Sequence, residues 1–311
     1  MNVEKQSHPR VTVGLMLYNE EKYLAKTVET ILEQGFSDFE ILIADNASED
    51  KTGEIALQLA EKYPHVRYYR HPKNYGAHYN YNFLVKHAHG EYFVLAGGHD
   101  LWSQNYLSAL AKALDDNPGA VVAYAPTVWI DEVGNILPKR SAFIDTSGMD
   151  PVARFNIMIW MNQNSMYGMC RLDALRRTRL LLDTIGSDPV MLGELALQGD
   201  FIVVPEVTWF RRMNRTPESR EERLRRYYRI LFLKLKPIIL PHWTIPPAYI
   251  VSILRGKMPL NMRIKLVFSA LTSLIRYGSA MKDDVKLFFR RLRYKPEDSA
   301  PVKIKTENDP Q

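Results

Sequence analysis

Short apolar runs of strand length alternate with amphipathic stretches of helix length between residues 11 and 116. Val11–Leu17 is such an apolar run, and the stretch 20–34 after it places Leu24, Val28 and Ile31 at helical spacing. The same pattern predicts strands at 39–44, 66–70 and 91–96, and helices at 51–63, 77–88 and 103–116, with Ser103 as the N-cap of the last. Alternation of this kind is typical of an α/β fold with a parallel sheet covered by helices on both faces.

The segment from 121 to 207 mixes further strand-like runs with loops. It predicts strands at 121–124, 166–170 and 201–204, a hairpin at 128–136, and helices at 172–182 and 188–197. Beyond it, the longest uncharged run, 237–254, contains four prolines, and no run, including the apolar stretch 230–240, is long and uninterrupted enough for a spanning helix. We expect residues 294–311 to be a disordered polar tail.

Polar residues follow three of the predicted strands at the point where each strand ends. They are Tyr18-Asn19-Glu20, Asp45 to Asp50, and Gly97-Gly98-His99-Asp100. Ligands bind outside the carboxyl ends of parallel strands, so these residues predict a site, although turns also favour Asn, Asp and Gly. The common glycine-rich dinucleotide and P-loop fingerprints are missing. Carboxylates around a divalent cation are the alternative way to hold phosphates.

These motifs resemble the family 2 glycosyltransferases of GT-A fold over about residues 11–212. The resemblance rests on the Tyr-Asn-Glu turn that ends at Glu20, the Asp-x-x-Ser-x-Asp turn from Asp45 to Asp50, and Asn74-Tyr-Gly76 with Asn82. It implies a Rossmann-like, mostly parallel sheet with flanking helices, in a catalytic domain at 1–212. We expect a donor half at about 10–125, an acceptor half at about 126–212, and a basic helical region at 213–293.

The resemblance implies a nucleotide-sugar donor site in the first half of the chain. Tyr18, Asn19 and Glu20 would line the nucleoside pocket, and the carboxylate of Asp45 would hydrogen-bond the base. Two short segments complete this donor set: Asn74 with Gly76, close to the nucleotide, and Gly97 with Gly98, where the backbone could approach the sugar or phosphates. A plain turn remains the alternative interpretation of 74–76.

The metal motif departs from the family pattern. The usual Asp-x-Asp-Asp reads Gly97, Gly98, His99 and Asp100 in this chain. Asp100 and His99 are therefore the predicted ligands of a divalent cation, Mn²⁺ or Mg²⁺, and the nitrogen ligand favours Mn²⁺. Weaker metal binding, no metal binding, and a loop-capping role for His99 stay open.

The resemblance also places the catalytic base and the acceptor side in the second half of the chain. Asp188 is the predicted general base, with a simple helix-start role as the alternative and Glu194 as the competing base. Arg171, Arg211 and Arg212 are expected to contact the diphosphate or an acidic acceptor. The implied reaction is transfer of a sugar from a UDP or dTDP donor to a saccharide or lipid-linked acceptor hydroxyl, with inversion, in surface polysaccharide or glycolipid assembly. A catalytically degenerate nucleotide-sugar-binding protein is the alternative.

Charge is distributed unevenly along the chain. From Arg211 onward there are 23 Lys and Arg against 9 Asp and Glu, whereas the residues before it hold 18 against 26. A basic tail on an acidic body favours an anionic membrane surface over nucleic acid as the partner, and a helical bundle packed on protein is the alternative. The chain opens without a signal peptide and has a single cysteine, Cys170, so we expect a cytoplasmic protein, peripheral on the inner face of the membrane.

Overall fold

The computed structural model describes residues 8–160, 164–213 and 240–293, and the alternating pattern folds there as a mixed α/β structure. The strands are β1 (Val11–Leu17), β2 (Phe39–Asp45), β3 (Val66–Arg70), β4 (Tyr92–Gly97), β5 (Leu101–Trp102), β6 (Ala120–Tyr124), β7 (Thr127–Ile130), β8 (Ile136–Arg140), β9 (Met169–Arg171), β10 (Asp200–Val203) and β11 (Trp209–Arg212). The helices are α1 (Leu24–Leu32), α2 (Thr52–Lys62), α3 (Ala77–His87), α4 (Tyr106–Asp116), α5 (Pro151–Trp160), α6 (Leu172–Arg176), α7 (Ser187–Ala196), α8 (Ile245–Arg255) and α9 (Leu260–Arg293).

Seven strands form the central sheet in the order β10-β6-β9-β4-β1-β2-β3, and β5, β11, β7 and β8 form a smaller sheet. The central sheet is parallel except for β9, which runs antiparallel to both β4 and β6. The prediction of a mostly parallel sheet with flanking helices is confirmed. Strands β1 and β2 are buried along almost their whole length, which explains their nearly continuous apolar sequences.

Strand register brings the predicted polar strand ends to one edge. Val11 lies opposite Phe39 and Tyr92, while Leu17 lies opposite Asp45, so β1, β2 and β4 run level with one another. The loops that follow these three strands therefore emerge side by side. This edge of the sheet carries the candidate site.

Two local predictions were wrong. Ser103 does not cap α4, because that helix begins at Tyr106 after Asn105, which has a left-handed conformation with φ 61°. Ser103 instead exchanges hydrogen bonds with the backbone of Thr208, next to the β5–β11 pair. The helix predicted at 172–182 ends at Arg176, and Leu180 has a φ of 58° that no α-helix continues through.

Helices α8 and α9 pack against α5 and α7. Ile245, Tyr249 and Leu266 join Phe155 of α5 and Val190 of α7 in one buried cluster. In the part of the chain that the structure describes, no helix combines the length and apolarity needed to span a bilayer. The apolar stretch 230–240, except for its last residue, and the tail 294–311 lie outside the described residues. The division of the chain near residue 212 stays a prediction.

Candidate active site

A cleft of about 500 Å³ opens at the carboxyl edge of the central sheet, where the loops after β1 and β4 face β7 and β11 of the smaller sheet. That volume is ordinary for a small-molecule site. The residues that line it include Tyr18, Glu20, Asn46, Asn74, Gly76, Gly97, His99, Asp100, Trp129, Tyr167, Arg211 and Arg212. Nine of these are residues that the sequence singled out, and they come from four separate segments of the chain.

Glu20 and His99 form the polar centre of the cleft. Nδ1 of His99 lies 2.8 Å from Oε1 of Glu20, and Nε2 of the same ring lies 3.9 Å from Oδ1 of Asp100. Since a carboxylate only accepts hydrogen bonds, Nδ1 of His99 carries the proton that is donated to Glu20. This hydrogen bond orients the ring with its Nε2 toward Asp100.

Asp100 is almost fully buried beneath this pair. Its Oδ1 accepts a hydrogen bond from the backbone N–H of Arg212 at 3.0 Å. Burial raises the pKa of Asp100, and the nearby His99 opposes that rise. The fold therefore holds a carboxyl group against the cleft wall, fixed by the last residue of β11.

The two glycines of this loop allow its close approach to β1 and Asp100. A Cβ on Gly98 would lie 2.6 Å from Cδ2 of Leu17 and 2.9 Å from Cγ of Glu20. A Cβ on Gly97 would lie 3.0 Å from Oδ2 of Asp100. Glycine at these positions is thus explained by packing of the loop, in addition to any contact with a ligand.

The residues present fit a divalent cation only in part. Among residues 8–160, 164–213 and 240–293, no group of three or more His, Cys, Asp or Glu side chains is placed to hold a metal. Nε2 of His99 and the carboxylate of Asp100 supply two ligands, and a carboxylate on the far nitrogen of a ligating imidazole is a common supporting contact. Mg²⁺ usually keeps water and takes ligands from a phosphate substrate. This donor set therefore fits a cation shared with a diphosphate, not one held by the protein alone.

The structure places Asp45 and Asn19 beside the cleft but not on its lining. Asp45 is fully buried, with Oδ1 accepting from Ser48 and Oδ2 accepting from Arg70 Nη1 at 2.8 Å. Asn19 joins two loops, because its N–H donates to Ser48 and its Oδ1 accepts from the N–H of Glu49. For Asp45 to bind a base, one of these partners would have to be displaced.

Asn46 was not assigned a role from the sequence, although it lies next to Asp45. Its Nδ2 donates to Oδ1 of Asn74 at 2.7 Å, and its Oδ1 accepts from the N–H of Tyr75 at 2.8 Å. Oδ1 of Asn74 also accepts from the N–H of Gly76, which has a φ of 85°. The Asn46–Asn74 pair therefore fixes the 74–76 turn against the cleft, and the left-handed backbone favours glycine at position 76.

Arg211 contributes a cation to the opposite wall of the cleft. Its Nη1 donates to Oδ1 of Asn164 at 2.9 Å, and its guanidinium carbon lies 4.8 Å from the ring centre of Trp129 and 5.2 Å from that of Tyr167. Contacts with aromatic faces hold a guanidinium in place while leaving its charge intact. Trp129 was not predicted as a site residue, since nothing in the local sequence marks it as a neighbour of Arg211.

The other two predicted arginines have contacts of a different kind. Arg212 is buried at the cleft wall, where it donates to the carbonyls of His99, Asp131 and Glu132. Arg171 lies away from the cleft, because β9 runs antiparallel and its last residue pairs with Tyr92 at the opposite edge of the sheet. Arg171 donates to the carbonyls of Ala120 and Leu114 there. Arg171 therefore does not belong to the proposed donor or acceptor site.

Asp188 is the second residue of α7 and is not among the residues that line the cleft. Burial raises its pKa, and the charges of His78, Arg276 and Arg211 oppose that rise. Arg211 itself lines the cleft, and His78 directly follows the lining residue Ala77. The competing base, Glu194, is instead held by Arg179, whose Nε lies 2.5 Å from its Oε1, and by Ser252. Its carboxylate joins α7 to α8.

Comparison with known proteins agrees with this architecture. Residues 1–349 of TarS from S. aureus, solved in complex with UDP-GlcNAc, superpose with a TM-score of 0.64 at 16% identity, over 93% of this chain and 77% of that one. The mannosyltransferase PcManGT from Pyrobaculum calidifontis, solved with GDP-Man and Mn²⁺, gives a TM-score of 0.52 at 18% identity, over 94% and 82% of the two chains. The sheet and its edge cleft thus define a glycosyltransferase fold of the GT-A class.

The family follows from the sequence match. The sequence profile of Glycosyl transferase family 2 matches residues 12–178, and the chain belongs to that family. The minor teichoic acid biosynthesis protein GgaB of Bacillus subtilis is 27% identical over 131 residues, which is 42% of this chain and 15% of GgaB. The chain spans about half or less of the length of the curated relatives that it matches. The match includes β1 to β4 and their loops but ends before Asp188.

Proposed function

We propose that the protein transfers a sugar from a nucleoside diphosphate donor of UDP or dTDP type to an acceptor hydroxyl, with inversion at the anomeric carbon. The supporting observation is the cleft in which the Glu20–His99 pair, Asp100 and Arg211 meet at the carboxyl edge of the sheet. The solved structure of TarS, which has a similar fold, holds UDP-GlcNAc. Arg211 provides a permanent positive charge for the diphosphate, and Asn46, Asn74 and Gly76 form the wall for the nucleoside.

Asp188 is the proposed general base. It accepts the proton of the acceptor hydroxyl while that oxygen forms a bond to the anomeric carbon, and the bond from this carbon to the phosphate oxygen breaks. The nucleoside diphosphate leaves with the bonding electron pair. When bound, a divalent cation at His99 and Asp100 would offset the negative charge on the diphosphate.

We assign the reaction to surface polysaccharide or glycolipid assembly at the cytoplasmic side of a membrane. GgaB, a relative over 42% of the chain, is a teichoic acid biosynthesis protein. The second candidate, a nucleotide-sugar-binding protein without catalysis, is supported by the replacement of two aspartates of the usual metal motif by Gly97 and His99.

A donor panel distinguishes the two candidates. UDP-, dTDP- and GDP-sugars are added to the protein with Mn²⁺ or with a chelator, and the unfolding temperature is measured together with release of nucleoside diphosphate. A transferase raises its unfolding temperature with one nucleotide class and releases the diphosphate when Mn²⁺ and an acceptor are present. Binding without any release, across saccharide and lipid-linked acceptors, would favour the second candidate.

A further inference from the structure

An exposed apolar stripe runs along the outer face of α9. Five of its large apolar side chains are solvent-exposed: Leu260 at 70%, Ile264 at 61%, Phe268 at 72%, Leu271 at 44% and Ile275 at 78%. Their spacing of four, four, three and four residues puts all five on one side of the helix. An exposed apolar surface of this length marks a contact with another apolar phase or partner.

The opposite face of the same helix is already used for packing. Leu266, Ala270, Ser273, Met281 and Asp284 are buried on that side, and Asp284 pairs with His242 at 2.9 Å. α9 therefore has one face fixed to α5 and α8 and a second apolar face left outward. The outward stripe is not required to build the fold that the structure describes.

Positive charge accompanies the stripe. Between Leu240 and Arg293 the sequence holds ten Lys and Arg but only two acidic residues, Asp283 and Asp284, and Asp284 is buried. Lys257, Lys265 and Lys282 are exposed on this segment. Trp160, which is 43% exposed, donates its Nε1–H to Thr272 beside the stripe. Exposed apolar side chains on a helix, with basic and tryptophan side chains nearby, are typical of surfaces that lie in a lipid interface.

We infer that this face of α9 docks the protein on an anionic lipid bilayer, with the five apolar side chains in the acyl boundary and the lysines at the headgroups. A second copy of the chain is disfavoured as the occupant, because a twofold contact would bring the same excess of positive charge against itself. Anionic lipid satisfies both the apolar stripe and the charge.

The docking face lies close to the acceptor side of the cleft. Arg276 and Tyr277 of α9 directly follow Ile275. The charge of Arg276 acts on Asp188. The hydroxyl of Tyr277 lies near Gly186, which immediately precedes α7. A helix is about 10 Å across, so the bilayer would lie roughly one helix diameter from the start of α7. The inference therefore deepens the proposed function, on which this step rests, by selecting a lipid-linked acceptor over a free saccharide.

Vesicle binding of the full-length protein tests the docking face. Wild type, Phe268→Glu, Ile275→Glu and the control Leu57→Glu, which changes a 49% exposed side chain on α2, are sedimented with phosphatidylcholine vesicles with or without phosphatidylglycerol. We expect wild type and L57E to bind the anionic vesicles, and F268E and I275E to lose about tenfold or more in affinity. Failure of wild type to bind them, or equal binding by F268E, would overturn the inference.

Two further readings separate this result from the proposed function. Sedimentation velocity without lipid tests the second-copy occupant, and a wild-type dimer that F268E dissociates would overturn lipid docking. Donor binding by calorimetry should be the same for wild type and F268E, because Phe268 is not among the residues that line the cleft. Loss of donor binding in wild type with vesicle binding intact would defeat the proposed function and leave the docking face standing.

Discussion

His99 donates its Nδ1 proton to Oε1 of Glu20 across 2.8 Å, and this hydrogen bond joins the loop after β1 to the loop after β4. The two residues are 79 positions apart in the chain. His99 stands where the usual metal motif has an aspartate, and its contact with Glu20 orients the imidazole beside the carboxylate of Asp100. Several consequences of this and neighbouring contacts can be measured.

Glu20→Gln should weaken donor binding mainly when a divalent cation is present. The amide can no longer hold the Nδ1 proton as a carboxylate does, and loss of such a supporting contact typically costs ten- to a hundredfold in metal affinity. Calorimetry of a UDP-sugar with Mn²⁺ and with a chelator measures the difference. Glu49→Gln, an exposed carboxylate on the neighbouring loop, is the control. An equal loss in both conditions would show that Glu20 acts on the nucleoside and not through His99.

Gly98→Ala should disturb the cleft, whereas Gly119→Ala should be silent. The new methyl group at position 98 would press on Leu17 and Glu20, while a Cβ at Gly119 meets no atom within 4 Å. Overpacking of this kind costs about 1–3 kcal/mol of the free energy of unfolding. The unfolding temperature and the donor affinity should both fall for G98A and stay unchanged for G119A. Matching behaviour of the two variants would mean that the loop adapts freely.

Asp188→Asn should abolish turnover while donor binding persists. Loss of a general base lowers kcat by roughly 10²–10⁴. Asp183→Asn, a change in an exposed carboxylate five residues earlier, serves as the control and should keep its kcat. Parallel loss of kcat and donor affinity in D188N would assign Asp188 a structural role at the start of α7.

The acid limb of the pH–rate profile should reflect the raised pKa of Asp188. A general base must be ionised, and burial moves the pKa of this carboxyl upward from its usual value near 3.9. Activity should therefore be complete above the raised pKa and fall as the pH drops through it, beginning at a higher pH than for an ordinary aspartate. Measurement of kcat against pH checks this, and an acid limb at or below the ordinary value would argue against Asp188 as the base.

Arg211 and Arg171 should respond to substitution in different ways. Arg211→Lys loses contacts with Asn164 and with the Trp129 and Tyr167 rings. We therefore expect kcat/KM for the donor to fall about tenfold, with little change in the unfolding temperature. Arg171→Ala leaves the carbonyls of Ala120 and Leu114 without their donor, so we expect a lower unfolding temperature and an unchanged donor KM. Steady-state kinetics and thermal denaturation of both variants make the comparison.

Most of the first half of the fold could be predicted, because its signals are local. β1 and β3 begin and end where the apolar runs predicted, and the polar strand ends gather because parallel strands share an edge. The capping role of Ser103 failed because a tertiary partner, Thr208, takes its hydrogen bonds. A local rule cannot identify a partner that lies 105 residues away.

The cleft was predicted less completely, since half of its wall is assembled from contacts distant in sequence. Arg211 with Trp129, and Asn46 with Asn74, become neighbours only when the smaller sheet and the 74–76 turn pack on the central sheet. The placement of Arg171 depends on whether β9 runs parallel or antiparallel to its neighbours. The sequence of a three-residue strand does not indicate its direction. Direction is set by the strands on either side of it.

The position of β9 limits how enzymes of this design can diversify. This strand comes from the predicted acceptor half of the chain, yet it lies between β4 and β6 of the predicted donor half. Exchanging one half for that of another enzyme would remove a strand from the middle of the sheet and leave two inner edges unpaired. New acceptor specificities are therefore more accessible through changes in loops and appended helices than through recombination of halves. A chimaeric protein should keep all seven strands of the central sheet from one parent.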